Sequence, residues 1–283
     1  MSHLKPLKNG HNYKNIKDIR KEVVMKEIRL CDDGDLDSTF KLCIENNLGI
    51  EIQGFYNPYI ENKNELIKKY EEKLKSFQAG RSYHAPFWDL NLGTKIIELQ
   101  EAMMNIYNEA YAIAKKLNCT EMVIHSNYKP GTDWYSGWIK RAKEFLIKFL
   151  SDKDDSITIC IENQFESDSE LLLNLIDEVN DSRVKICLDI GHAHANSNMA
   201  VENWIETLKD RIVYYHLHNN HGKQTILGYN KDDEHLGIDN GTINIEKILT
   251  LAEKNTPNAI WNIECKVEFL QDSIDCLKRL KYL

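Results

Sequence analysis

Asp189 and His192 close an apolar run, VKICLDIGHAH, that begins at Val184. Such a run has the character of a fully buried strand. A carboxylate at its end, with an imidazole three residues on, can aim two ligating groups at one point. Alone, Asp-x-x-His is a weak signal, because acids and histidines often share loops. The chain repeats the arrangement, however. His84, His125, Glu162, His216 and Glu264 each lie at or near the end of another strand-like run, and Asp233 and His235 follow in the loop sequence DDEH. The acids Glu162, Asp189, Asp233 and Glu264, brought together away from water, would repel one another at a cost of several kcal/mol each, roughly, if left unpaired. No Lys or Arg ends these runs to offset them. Divalent cations would, and imidazole with carboxylate suits Zn²⁺, Mn²⁺ or Fe²⁺. His84, His125, Glu162, Asp189, His192, His216, Asp233, His235 and Glu264 are too many donors for one ion and suit two or three.

Elements that bring these residues together can be read from the pattern. Strands are expected at residues 26–31, 49–55, 81–85, 121–125, 157–163, 184–189, 211–218 and 259–264. Helices are expected at residues 35–47, 64–77, 99–117, 137–150, 169–179, 202–208, 245–254 and 271–280. In the first helix Leu36, Phe40, Cys43 and Ile44 form the apolar stripe. Regular strand–helix alternation implies right-handed βαβ crossovers and a parallel sheet. Eight units fit an α/β fold of the (β/α)₈ TIM-barrel type, for which about 250 residues is typical. A doubly wound sheet would want a Gly-rich turn after the first strand, where this chain has the acidic RLCDDGDLD. One barrel domain is therefore expected over residues 26–283, preceded by a polar, flexible extension over residues 1–25. The extension frays in this reading, or the natural start is Met25.

Composition bounds the rest. Of 283 residues 42% are hydrophobic and 28% charged, as in a soluble enzyme. No apolar run approaches the ~20 residues of a membrane helix, and the N-terminus lacks a signal peptide's apolar segment. Seven scattered cysteines, never spaced C-x-x-C, read as reduced thiols in a cytoplasmic protein. A net charge of −8 argues against binding nucleic acid through a broad basic face.

The sequence also resembles the xylose-isomerase-like barrels (AP endonuclease family 2), which include endonuclease IV and many sugar isomerases and epimerases. HAPFWDLNLG (84–93), MVIHSNYKPG (122–131), ICIEN (159–163), ICLDIGHAHA (186–195), YYHLHNN (214–220), DEHLGIDNG (233–241) and the final IE (263–264) carry the resemblance. Endonuclease IV-type enzymes hold three zinc ions with nine ligands, and the nine donors named above match them in type. The sugar epimerases need four, which fall on Glu162, Asp189, His216 and Glu264. Phe87 and Trp88 stand where endonuclease IV carries a DNA-probing aromatic, but the loop YNPYIENKNE has little of that family's positive charge. The epimerases place an Arg shortly after the seventh-strand His, where this chain has His221, Gly222 and Lys223.

Two mechanisms follow. In the first, a multinuclear site hydrolyses a phosphoester: Glu162 and Asp189 bridge metals or orient hydroxide, and Glu264 faces them. In the second, a single-metal sugar or sugar-phosphate isomerase or epimerase uses Glu162 and Glu264 as acid and base, and His192 contacts substrate. A barrel that binds without turnover is a third class. Substrate-binding candidates are Phe87, Trp88, His218 and Lys223, with Tyr128 and Trp134 in an aromatic wall that Tyr135 and Trp138 would complete. Alternatively, Trp138 starts a helix and packs inward. A small phosphoester or sugar is the expected partner; DNA is not favoured and no membrane is. No G-x-S-x-G elbow, Walker loop or G-x-G-x-x-G is present.

Overall fold

A computed structural model describes residues 26–32, 35–223 and 233–283. The expected extension therefore lies outside the described residues. Eight parallel strands close into a barrel in chain order: β1 (Ile28–Cys31), β2 (Gly49–Ile52), β3 (Arg81–His84), β4 (Glu121–His125), β5 (Thr158–Glu162), β6 (Val184–Asp189), β7 (Ile212–Leu217) and β8 (Ile260–Ile263). The helices are α1 (Leu36–Asn46), α2 (Lys63–Leu74), α3 (Ile97–Lys116), α4 (Tyr135–Leu150), α5 (Glu170–Val179), α6 (Ile190–Asn196), α7 (Val201–Leu208), α8 (Ile245–Asn255) and α9 (Leu270–Arg279). The expected single (β/α)₈ barrel is what the chain forms.

Each surrounding helix buries one stripe. In α4 the buried set is Trp138, Ile139, Ala142, Phe145, Leu146, Phe149 and Leu150, the spacing of one helical face. In α1 the stripe is narrower than expected: Leu36, Thr39 and Cys43 are buried, while Ile44 is 57% exposed. Asp35 caps that helix by accepting from the Ser38 amide at 3.1 Å.

Strand alternation sorts the residues that matter. On β4 to β7, Met122, Ile124, Ile159, Ile161, Ile186, Leu188, Tyr215 and Leu217 join the main core beneath the helices. The intervening Val123, Cys160, Cys187 and Tyr214, with Ile260 of β8, form a separate buried cluster. Period-two alternation places that second cluster inside the barrel. The residues two further on are His125, Glu162, Asp189, His216 and Asn262. Each candidate ligand on these strands thus stands one pleat, about 6.6 Å, above an apolar floor. Below that floor, the buried Arg29 guanidinium sits 5.7 Å from the Tyr214 ring and is paired with Glu27 and Glu121.

β6 runs straight into α6, so His192 belongs to a short helix rather than a loop. Asp189 is its N-cap, with Oδ1 accepting from the His192 amide at 2.6 Å. Among the described residues, no helix is long and apolar enough to cross a membrane.

Candidate metal centre

Donor atoms gather in overlapping groups at the C-terminal ends of the strands, each with its atoms within 4.8 Å of one another, and three of these groups take in all nine expected ligands. His84, His125 and Glu162 form the first, with Glu162 Oε2 at 3.3 Å from His84 Nε2 and 3.0 Å from His125 Nε2. Glu162, Asp189, His216 and Glu264 form the second. Its centre faces His216 Nδ1, which lies 3.2 Å from Glu162 Oε1, 3.7 Å from Asp189 Oδ2 and 2.7 Å from Glu264 Oε2. His192, His218, Asp233 and His235 form the third, where Asp233 Oδ2 is 3.1 Å from His192 Nε2 and 3.2 Å from His235 Nε2. Glu162 links the first two groups by turning one oxygen to each. Asp189 links the second and third, because its Oδ1 meets His218 Nε2 at 3.0 Å.

Four of the histidines are held by one ring nitrogen with the other turned to the centre. His84 Nδ1 donates to the Ala85 carbonyl at 2.9 Å, His192 Nδ1 to Asn163 at 2.9 Å and His235 Nδ1 to Glu264 at 2.7 Å. That leaves the Nε2 atoms facing carboxylates. His216 is turned the other way: its Nε2 contacts the Glu51 carboxylate and its Nδ1 faces the centre. This second-partner pattern is the usual arrangement of metal-ligating imidazoles.

Glu162 Oε1, His216 Nδ1, Glu264 Oε2 and Asp233 Oδ1 are buried and have no hydrogen-bond partner among the described residues. Buried polar atoms seldom go unsatisfied. Here three of the four atoms of the second group are orphaned, with His216 Nδ1 3.2 Å from Glu162 Oε1 and 2.7 Å from Glu264 Oε2, so they converge on one point without being satisfied. A divalent cation satisfies all of them at once, and the mixed imidazole–carboxylate set fits zinc, manganese or iron.

Charge tells the same story. Burial alone would push the Glu162 carboxyl up, but His125 and His216 hold it well below the ordinary glutamate range. Burial pulls His216 down, yet the Cys187 thiol and the Glu264, Glu51 and Glu162 carboxylates more than offset it and hold the ring well above the usual histidine value. His192 is likewise raised against its burial by Asp189 and Asp233, and Asp233 with Glu264 places His235 at about 10 against its own burial. Protons on His192, His216 and His235 would offset the acids in a metal-free chain, and a bound metal would take their place.

Above the donors opens a cavity of about 660 Å³, within the range of small-molecule sites. Tyr56, Phe87 and Trp88 form an aromatic side, and Gln53, Gln164 and Lys266 supply polar groups. Phe87 stacks on His125 with ring centres 4.8 Å apart, and Trp88 is 63% exposed.

Of the expected substrate-binding residues, Phe87 and Trp88 line the cavity, whereas Tyr128, Trp134, His218 and Lys223 do not. Tyr128 does not line the cavity: it is buried against Tyr135 and Trp138, and its hydroxyl donates to the Asp133 carbonyl. Trp134 is 84% exposed and outside the cavity lining, so the aromatic wall is not built from this loop. Lys223, also outside the lining, reaches Asn198 at 3.4 Å. His218 lies beneath the cavity, bonded to Asp189 and stacked on His235 at 4.0 Å. Sequence reasoning overlooked Glu51, Gln53, Tyr56, Gln164 and Lys266. Glu51 carried a readable signal, since a carboxylate between Ile50 and Ile52 in a buried strand requires a partner.

The chain belongs to the xylose isomerase-like TIM barrel family, whose model it matches over residues 40–280. An uncharacterized protein of Methanocaldococcus jannaschii, MJ1614, is 29% identical over 217 residues, covering 74% of this chain and 80% of that protein. A D-tagatose 3-epimerase-like protein superposes with a TM-score of 0.73 at 22% identity, covering 90% of this chain and 97% of its own. The IOLI protein with a binding zinc atom gives 0.70 at 14% identity, covering 90% and 96%.

Proposed function

We propose that the protein is a divalent-metal-dependent isomerase or epimerase of a small sugar or sugar phosphate, acting at Glu162, Asp189, His216 and Glu264. The observation that carries this reading is the convergence of orphaned Glu162 Oε1, His216 Nδ1 and Glu264 Oε2 on one buried point. A bound ion supplies polarisation of a substrate carbonyl or hydroxyl, which makes the neighbouring carbon acidic. Glu162 ends β5 and Glu264 directly follows β8, so one can take a proton from carbon while the other returns it from a different direction. Gln53 donates to Glu264 Oε1 at 3.0 Å, which fixes that carboxylate beside the cavity. Gln164, with a buried and unpartnered Oε1, is a ready acceptor for a substrate hydroxyl. The epimerase-like neighbour and the family membership support the reading.

The test is solvent exchange. Metal-loaded protein incubated in D₂O with a panel of ketoses, aldoses and their phosphates should place deuterium on the carbon beside the carbonyl. Exchange should vanish in Glu162→Gln and Glu264→Gln. A full panel without exchange, from protein that holds metal, would count against it.

A second reading rests on one specific observation. The groups around His84 and His125, and around His192, Asp233 and His235, flank the central four and share Glu162 and Asp189 with them. Several ions there would supply an acidic water and a clamp for phosphate oxygens, the chemistry of phosphoester hydrolysis. Release of nitrophenol from a bis-nitrophenyl phosphate, lost in His84→Ala, would favour this reading.

A further inference from the structure

Glu51 is fully buried, on the inward face of β2, and takes no part in the proton transfers proposed above. Its carboxylate lies 3.1 Å from His216 Nε2 through Oε1 and 3.2 Å through Oε2. Asn262, paired with His216 across β7 and β8, donates its Nδ2 to Glu51 Oε1 at 2.8 Å. Among His84, His192, His216 and His235, the first, second and fourth are fixed through Nδ1 by a backbone carbonyl, whereas His216 is fixed through Nε2 by a carboxylate. A carboxylate partner holds the N–H on the far nitrogen and makes the near nitrogen a stronger donor.

We infer that Glu51 is a positioning residue: through Nε2 it holds His216 in the tautomer whose bare Nδ1 faces Glu162, Asp189 and Glu264, and it strengthens that nitrogen as a metal donor. The inference rests on the reading of His216 as a metal ligand. It also explains why so costly a burial persists. A lone carboxylate in the interior is strongly disfavoured, and Asn262, which reaches only Oε1, does not account for both of its oxygens.

Asn262 makes the conservative replacement informative. Its Oδ1 is buried without a partner. In Glu51→Gln, the glutamine oxygen can accept from His216 Nε2–H. Asn262 can then turn its amide and accept from the glutamine nitrogen through that free Oδ1. The tautomer survives while the charge is lost. In Glu51→Leu both are lost.

The experiment is zinc affinity by competition with a chromophoric chelator, with ¹⁵N-histidine NMR of the zinc-loaded chain reporting which His216 nitrogen carries hydrogen. Glu51→Leu should bind zinc about 10–100-fold more weakly than wild type. Glu51→Gln should lose less than Glu51→Leu and keep hydrogen on Nε2. Equal affinity in wild type and Glu51→Leu overturns the inference, as does Glu51→Gln binding as weakly as Glu51→Leu. If Glu51→Leu does not fold, a Glu51→Gln spectrum with hydrogen moved to Nδ1 at unchanged affinity overturns it too. Failure of the site reading itself appears in wild type, as absence of zinc binding. Failure of this inference alone appears only in the variants.

Discussion

His216 Nδ1 stands 2.7 Å from Glu264 Oε2, yet among the described residues neither atom has a hydrogen-bond partner. His216 stands on β7 and Glu264 directly follows β8, its neighbour in the barrel, and the alternation that seats Tyr214 and Ile260 on the interior floor lifts both groups above it. The contact is close and aimed at a third point.

Asp189→Asn separates two duties of one side chain. Asn caps a helix about as well as Asp, so the bond to the His192 amide and the start of α6 should persist. The ligand charge is lost. Metal affinity should fall about tenfold or more, with the melting temperature of the metal-free variant close to that of metal-free wild type. Unchanged metal content in elemental analysis would remove Asp189 from the ligand set.

Gly191→Ala tests the packing behind that carboxylate. A Cβ at this position would lie 1.9 Å from His218 Cε1 and 2.4 Å from both ring nitrogens. His218 is buried and held by Asp189 Oδ1, so it cannot swing aside without releasing that oxygen. Overpacking of this kind costs about 1–3 kcal/mol. Chemical denaturation should register that loss and metal titration a weaker site; a variant equal to wild type in both would show that the ring is free to move.

The pH dependence of the metal-free chain has a definite sign. His235, at about 10, is raised above its unfolded value. Its contribution to stability is therefore complete below about 6.5 and lost as pH rises through about 10. Asp233 is held well below the ordinary aspartate range by its histidine partners despite burial, so its contribution is present above about 4 and is lost in stronger acid. Chelator-treated protein should thus melt at falling temperature between pH 7 and 10. Metal-loaded protein should lack that decline, because the ring nitrogens then hold metal in place of protons. Parallel curves for the two forms would contradict the exchange.

Trp88 and Trp134 are both exposed tryptophans, but only Trp88 borders the cavity. Trp88→Ala should raise KM by roughly fivefold, about 1 kcal/mol of aromatic contact, with little change in kcat. Trp134→Ala should leave both unchanged. The reverse order of effects would place the substrate over the fourth-strand loop.

The barrel could be read before the structure because each strand is a short apolar run followed by an amphipathic helix, and the metal-type residues terminate those runs. Position in the strand made them visible. Glu51 escaped because it lies inside β2, with polar Gln53 beyond it drawing no attention as a ligand; its meaning depends on His216 and Asn262, far away in sequence. Tyr128 and Trp134 illustrate the opposite limit. Both are aromatics of one loop, and whether such a side chain faces cavity, core or water is decided by a single backbone turn. Asn127 takes that turn at a φ of 51°, with its amide donating to the Phe87 carbonyl.

Metal content per chain, by elemental analysis of protein purified without chelator, tests the central claim most directly. Wild type should hold roughly one to three divalent ions, and an ion should persist in His84→Ala but be lost in Glu264→Gln. A chain that carries no divalent ion, and turns over substrate equally well after exhaustive chelation, would contradict the account.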